Sequence, residues 1–145
     1  MAVAVFKDPK VEGEVTFTAT PKGVRVAASF TKLPPGEHGF HIHNKGDLRG
    51  EGCKGACAHY QRGEPTKHGG PPGFGGPRHT GDLGNISPEI SSYSYFLLGV
   101  TVDDLWGRSV IVHADPDDYG RGPFEDSHVT GHSGKRMTCA IIGRV

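Results

Sequence analysis

Between Gly63 and Pro77, ten of fifteen residues are Gly or Pro. At that density neither a helix nor a strand ladder survives, because glycine costs backbone entropy and proline removes a hydrogen-bond donor. The chain must therefore fold around a long irregular segment, residues 44 to 81, with its regular structure on either side. There the signal has the period of two that belongs to half-buried strands. Val15, Phe17 and Ala19 alternate with Glu14, Thr16 and Thr18, and Val24, Val26, Ala28 and Phe30 alternate with Arg25, Ala27, Ser29 and Thr31. Pro21-Lys22-Gly23 between the two runs supplies a hairpin turn. Pro34-Pro35-Gly36 breaks the pattern before a strand that contains His41. After Asn85 the strand character returns in Ser91 to Val102 and in Ser109 to His113, with a turn near Trp106-Gly107. A second loop, Ala114 to Lys135, is rich in Asp, Gly and Pro, and a last apolar strand runs from Met137 to Val145. No window of a dozen residues carries a helical stripe. Short strands separated by turn chemistry predict an all-β antiparallel sandwich or barrel bearing two long loops. A length of 145 residues predicts a single domain over 1–145, large enough for a real core.

The chemistry-bearing residues sit on that frame. In Gly39-Phe40-His41-Ile42-His43-Asn44, alternation puts His41 and His43 on one face and Phe40 and Ile42 on the other. Two neutral imidazoles about 7 Å apart along a strand face can grip one metal ion. His59, His68 and His79 punctuate the Gly/Pro-rich loop and Asp82 follows it, so the loop has ligands to fold around. His59, His68, His79 and Asp82 form a set suited to tetrahedral zinc, and His41, His43 and His113 add nitrogens of the kind that suit copper. Spacing alone does not assign each His to an ion. A rival grouping, Cys53, Cys57, His59 and His68, has the Cys-x3-Cys spacing of a structural zinc module and would leave His41, His43, His79 and Asp82 idle.

Composition excludes several classes. Sixteen basic residues balance sixteen acidic ones, so no net charge draws the chain to nucleic acid or to an anionic membrane. No apolar run approaches the length of a membrane span. Lys7, Asp8, Lys10, Glu12 and Glu14 interrupt the first twenty residues, which lack a secretory leader's apolar stretch, so the expectation is a cytoplasmic protein. Three cysteines are too few for a disulfide-framed module, and the odd count leaves at least one thiol unpaired within the chain.

Taken together, the motifs resemble those of the copper/zinc superoxide dismutase family. The likeness runs through Gly39-Phe40-His41-Ile42-His43, Gly46-Asp47, Gly52-Cys53, Lys67-His68-Gly69-Gly70-Pro71, Arg78 to Asn85, Val110-Ile111-Val112-His113 and Gly134 to Cys139. The resemblance implies an eight-stranded antiparallel Greek-key barrel, an immunoglobulin-like sandwich with two long functional loops. It also implies one copper and one zinc ion per chain, copper on His41, His43, His59 and His113 and zinc on His59, His68, His79 and Asp82, with His59 bridging the two. Asp117 would receive hydrogen bonds from one ligand of each metal. Arg136 would dock superoxide beside the copper, and His59 would supply a proton in the cycle that yields dioxygen and hydrogen peroxide. Cys53 and Cys139 would form a disulfide and leave Cys57, not a usual family cysteine, as a free thiol. His38 would be structural, while His128 and His132 inherit no ligand role. A homodimer and a copper-delivery protein are the implied partners, although Lys45 and Arg144 stand where relatives often place apolar contacts, with Trp106 available to supply the missing area. The chain departs from the family pattern in extra residues around Pro72 to Gly76 and near Arg49 to Glu51, in a shorter segment from Ser87 to Arg108, and in Val129, where many relatives carry a lysine.

Overall fold

The computed structural model describes all 145 residues. Two antiparallel sheets face each other. The first, in the order β6-β3-β2-β1-β9, is built from β1 (Ala2–Lys7), β2 (Glu12–Thr20), β3 (Gly23–Lys32), β6 (Ser92–Leu98) and β9 (Gly143–Arg144). The second, in the order β5-β4-β7-β8, is built from β4 (His38–His43), β5 (Asp82–Ile86), β7 (Ser109–His113) and β8 (Arg136–Ile141). Beyond the strands there are only the one-turn helices α1 (Val102–Leu105) and α2 (Ser127–Thr130) and a 3-10 turn at Lys54–Ala56. This is the antiparallel all-β barrel that the sequence predicts.

The hairpin of β2 and β3 pairs Val15 with Ala28 and Phe17 with Val26, which puts the buried set of each strand on one face. Chain crossings from β5 to β6 and back to β7 leave β4 and β7 adjacent, the Greek-key arrangement. Phe6, Phe30, Phe40 and Tyr95 then meet between the sheets, with ring centroids 5.9, 5.6 and 6.4 Å apart in succession. Phe40 and Ile42 lie in this core with no exposure, so the strand that carries His41 and His43 is anchored from behind.

The structure corrects the strand boundaries in two places. The strand expected from Ser91 to Val102 ends at Leu98, because Gly99 takes a positive φ of 75° and the chain turns. Thr101 then caps α1, its hydroxyl accepting from Asp104 N–H at 3.2 Å while the Asp104 carboxylate accepts from Thr101 N–H at 3.1 Å. The strand expected from Met137 to Val145 divides at the buried Ile142: β8 pairs with β7, whereas β9 pairs with β1. One extended run thus serves both sheets, and the nine strands reduce to eight runs. Two strands escape the alternation signal. In β1, apolar residues occupy both faces through Phe6, and β5 begins at Asp82, inside a motif that reads as ligand chemistry.

The first loop docks on the barrel through its backbone. Residues 56 to 60 run against the end of β4, with Asn44 N–H donating to Ala58 O at 2.9 Å and Tyr60 N–H to Ile42 O at 2.8 Å, and His43 faces His59 across this short pairing. A Cys53–Cys139 disulfide ties the same loop to β8, and Cys57 is free and exposed. Because Cys53 is spent in that bond, the rival Cys2His2 zinc module has lost a ligand.

Candidate metal centre

His41 and His43 project from the outer face of β4, and His113 stands at the end of the neighbouring β7; all three are buried beneath the two loops. Each ring turns one nitrogen outward to a fixed partner. His43 Nδ1 lies 2.8 Å from Cys57 O, His113 Nδ1 lies 3.1 Å from Gly134 O, and His41 Nε2 lies 2.6 Å from Asp117 Oδ2. A carbonyl or carboxylate takes the N–H, so the opposite nitrogen keeps its lone pair. Those nitrogens, His41 Nδ1, His43 Nε2 and His113 Nε2, together with His59 Nε2, are buried with no hydrogen-bond partner. Ligand atoms of the four rings lie within 4.8 Å of one another. An unpaired buried nitrogen costs free energy unless something binds it, so four convergent ones fit a metal ion.

The second group surrounds Asp82, the first residue of β5. Its Oδ1 lies 2.9 Å from His59 Nδ1, 3.0 Å from His68 Nδ1 and 3.4 Å from His79 Nδ1. Ligands held at about 2.0 Å around a tetrahedral ion stand about 3.3 Å apart, so this crowding of three nitrogens and an oxygen fits zinc geometry. Asp82 Oδ2 meanwhile accepts from the N–H groups of Gly69 and His79 at 3.0 and 2.7 Å, which fixes the carboxylate. The ligand atoms that lie within 4.8 Å of one another around Asp82 are those of His41, His59 and His68. We place His79 in the set, because His41 Nε2 is taken by Asp117 and its Nδ1 faces the other cluster. His79 Nε2 is held by Thr66 O at 3.0 Å, leaving its Nδ1 to face Asp82.

Asp117 joins the two groups. One carboxylate oxygen meets His41 and the other meets His68 Nε2 at 2.7 Å. Its backbone is gripped by one side chain, Asn85 of β5, whose Oδ1 accepts from Asp117 N–H at 2.7 Å and whose Nδ2 donates to Asp117 O at 2.9 Å. Gly131 packs against this junction with φ 73°; a Cβ there would stand 2.1 Å from Asp117 Oδ1 and 2.4 Å from His68 Nε2. Only glycine fits.

The electrostatics of the two groups differ. Burial, reinforced by the neighbouring imidazoles, holds His41 and His43 well below the usual histidine pKa and brings His113 down to about 4, so these rings are neutral at pH 7. Burial pushes His68 the same way, but the carboxylates of Asp117 and Asp82 overcome it and raise that ring to about 9. Asp82 is held far below the usual carboxylate range despite its burial, by hydrogen bonds from His59 and His68 and by the neighbouring His79 ring.

Arg136 opens β8, and its guanidinium donates to the carbonyls of Cys53 and Cys57, at 2.8 Å for the first. It shares a cavity of ≈ 390 Å³ with His59, His79, His128 and Val129. The Cys57 carbonyl thus positions both His43 and Arg136, a role no sequence signal marks because any residue carries that oxygen. Cys57 supplies it with φ 63° and ψ −146°, a conformation that favours glycine. His38 bonds the carbonyls of His113 and Pro34, at 2.9 and 3.1 Å. His132 stacks on Phe124 and pairs with Asp126 at 2.7 Å, away from both groups.

Residues 11–142 match the family model described as copper/zinc superoxide dismutase (SODC). The chain belongs to the copper/zinc superoxide dismutase family. It is accordingly an oxidoreductase whose cofactors are one copper and one zinc ion. The superoxide dismutase [Cu-Zn] of Paramecium bursaria Chlorella virus 1 is 40% identical over 149 residues, covering 98% of this chain and 77% of that protein. The extracellular superoxide dismutase [Cu-Zn] of Haemonchus contortus is 42% identical over 142 residues, covering 92% and 74%. Among solved structures, one described as a crystal structure of the clock protein EA4 superposes with a TM-score of 0.84 at 38% identity, covering 99% of this chain and 94% of that one.

Dismutases from Caenorhabditis elegans and Drosophila melanogaster are also named extracellular. The expectation of a cytoplasmic protein is thereby overturned. It rested on charges within the first twenty residues, but those residues are β1 and β2, and their polarity is set by the faces of a sheet rather than by an address. No helix of the structure is long and apolar enough to cross a membrane.

Proposed function

We propose that this chain, acting as one domain, dismutes superoxide, with copper held by His41, His43, His59 and His113 and zinc by His59, His68, His79 and Asp82. The observation that carries the reading is His59: its Nδ1 belongs to the Asp82 group while its Nε2 is an orphan facing His41, His43 and His113. When bound, copper supplies the alternating one-electron chemistry that turns two superoxide anions and two protons into dioxygen and hydrogen peroxide, and zinc supplies the second positive charge that makes His59 an imidazolate.

The chain's own residues do the rest. His59, held at Nδ1, takes a proton at Nε2 and gives it up to the product, so it serves as the proton carrier. Arg136 docks the small anion, its fork fixed in orientation by the Cys53 and Cys57 carbonyls. Asp117 locks the outer nitrogens of His41 and His68, which sets the direction of the inner ones. Val129, 61% exposed on the same cavity, adds no attraction for an anion. Long-range steering therefore falls on Arg136 and its neighbour Lys135. The names of three relatives point to work outside the cell. A homodimer is the expected assembly, with Trp106 at its face; Arg144 lies over that ring, 4.7 Å from its centroid. A copper-delivery protein remains the proposed source of the copper.

The test is copper and zinc content per chain together with superoxide dismutation by the same sample. About one of each metal with activity supports the enzyme, and one zinc with no copper and no activity overturns it.

A further inference from the structure

The residues around Pro72 to Gly76 have no part in the chemistry above. We propose that Phe74 within them is a positioning residue that latches the first loop onto the second and so sets how long zinc stays bound. The proposal rests on the zinc assignment to His59, His68, His79 and Asp82.

Phe74 is 38% exposed, yet its ring is engaged by both loops. Tyr119 of the second loop meets it edge to face, with centroids 4.8 Å apart at 72°, and Arg121 lays its guanidinium carbon 4.4 Å from the ring centroid. On the first loop the ring packs against Gly70, where a Cβ would stand 2.5 Å from the Phe74 ring. Both contacts lead directly to the ligands. Gly70 is two residues from His68. Tyr119 N–H donates to Asp117 Oδ1 at 2.8 Å, the oxygen that meets His68 Nε2 at 2.7 Å. The circuit therefore closes: ring to Tyr119, Tyr119 to Asp117, Asp117 to His68, and His68 through Gly70 back to the ring.

The circuit matters because Tyr119 is held with φ 61°, in the left-handed region that a bulky side chain adopts at a cost. Such a turn persists only while its surroundings hold it. The Phe74 ring and the cation above it supply that hold on the solvent side, beside the bonds that Asp118 accepts from Gly120 and Arg121 within the turn. Without the ring, the turn has a reason to relax, and Asp117 loses its aim at His68. His41, the other partner of Asp117, sits within the ladder of β4 and keeps its place.

The experiment compares metal-loaded parent, Phe74→Ala, Phe74→Tyr and Arg121→Ala. Zinc transfer to a chromogenic chelator is timed at neutral pH, the visible spectrum of cobalt substituted at the zinc site is recorded, and the melting temperature of each metal-free form is measured. Asp82→Ala serves as the control that empties the site. Phe74→Ala is expected to release zinc about tenfold faster, the low end for loss of a group that orients a ligand. Its cobalt bands should shift, while Phe74→Tyr behaves as the parent, Arg121→Ala falls between, and the metal-free melting temperatures stay together. Zinc release from Phe74→Ala at the parent rate, with an unchanged cobalt spectrum, overturns the latch, whatever happens to the metal-free melting temperature. A parent that binds no zinc, or that keeps it after Asp82→Ala, overturns the zinc assignment and the latch with it.

Discussion

The two halves of the metal centre are built by different means. Three of the rings proposed to hold copper stand on β4 and β7, at positions set by strand register and backed by an apolar core. The group proposed to hold zinc draws His59, His68 and His79 from a loop with almost no regular structure, and its one strand residue is Asp82 at the tip of β5. The strand-borne half is made of imidazoles that burial keeps neutral, with carbonyls as outer partners of His43 and His113 and a carboxylate for His41, while the loop-borne half is organised around Asp82 and fixed by hydrogen bonds to it. A sheet can hold ligands in advance of the metal; a loop needs charge, a covalent tie and the ion itself.

The largest expected effect falls on the tie. Cys139→Ser should cost about 4–5 kcal/mol of stability, since the disulfide closes a loop with a sequence separation of 86. Hydrogen exchange should show the loss of protection concentrated in residues 44 to 81, and equal loss in β4 and β7 would break the contrast between loop and sheet.

Next comes pH, measured as unfolding of the metal-free protein. His113, at about 4 when folded against an ordinary value of 6.5, makes the unfolded chain bind more protons between those values. Stability therefore falls as pH drops from 6.5 to 4, by about 3 kcal/mol from this ring, with His41 and His43 acting in the same direction. His68 has the opposite sign: raised to about 9, it stabilises the fold fully below 6.5, and that contribution is lost as pH rises to 9. Metal-free stability should peak near pH 6.5, and His68→Gln should flatten the alkaline limb alone. A parent curve that keeps rising from 6.5 to 9 would remove the charge contrast.

Asp117→Ala sharpens the comparison further. Zinc affinity should fall about tenfold or more, because His68 has only the loop to orient it once the carboxylate is gone. Copper affinity should fall less, since His41 keeps its place on β4; chelator competition for each metal reads both, and equal losses would mean that strand register contributes nothing.

The smallest effect concerns the approach of substrate. Val129→Lys should raise kcat/KM severalfold at low salt and steepen its decline with ionic strength, because a long-range attraction is added that salt can screen. Arg136→Ile should lower the rate at every salt, as docking is lost along with attraction. A parent slope as steep as that of Val129→Lys would show that Lys135, Arg121, His128 or His132 already provides the field.

The strand-borne half was the more legible of the two. Alternation around Phe40-His41-Ile42-His43 predicts which side chains face the core and which face the metal, and Val110-Ile111-Val112 marks the strand that ends in His113. Alternation overlooks β1, whose outer face is also apolar, and carries the strand after Ser91 past the turn at Gly99. On the loop side, residue types and their order announced ligands, but no period exists there from which to derive geometry. The grip of Asn85 on Asp117, the Cys57 carbonyl shared by His43 and Arg136, and the Phe74 contact with Tyr119 join residues 32, 79 and 45 positions apart. Local sequence holds no trace of such pairings.

By itself the sequence determined the class of fold and the family, because periodicity and the order of donor residues are properties of residue order. Only the tertiary structure decided which nitrogen of each imidazole faces inward, that Asn85 grips Asp117, and that the last strand divides between two sheets. Each depends on a hydrogen bond or packing contact made across the barrel, and such contacts exist only once β4, β7 and the two loops have been brought together.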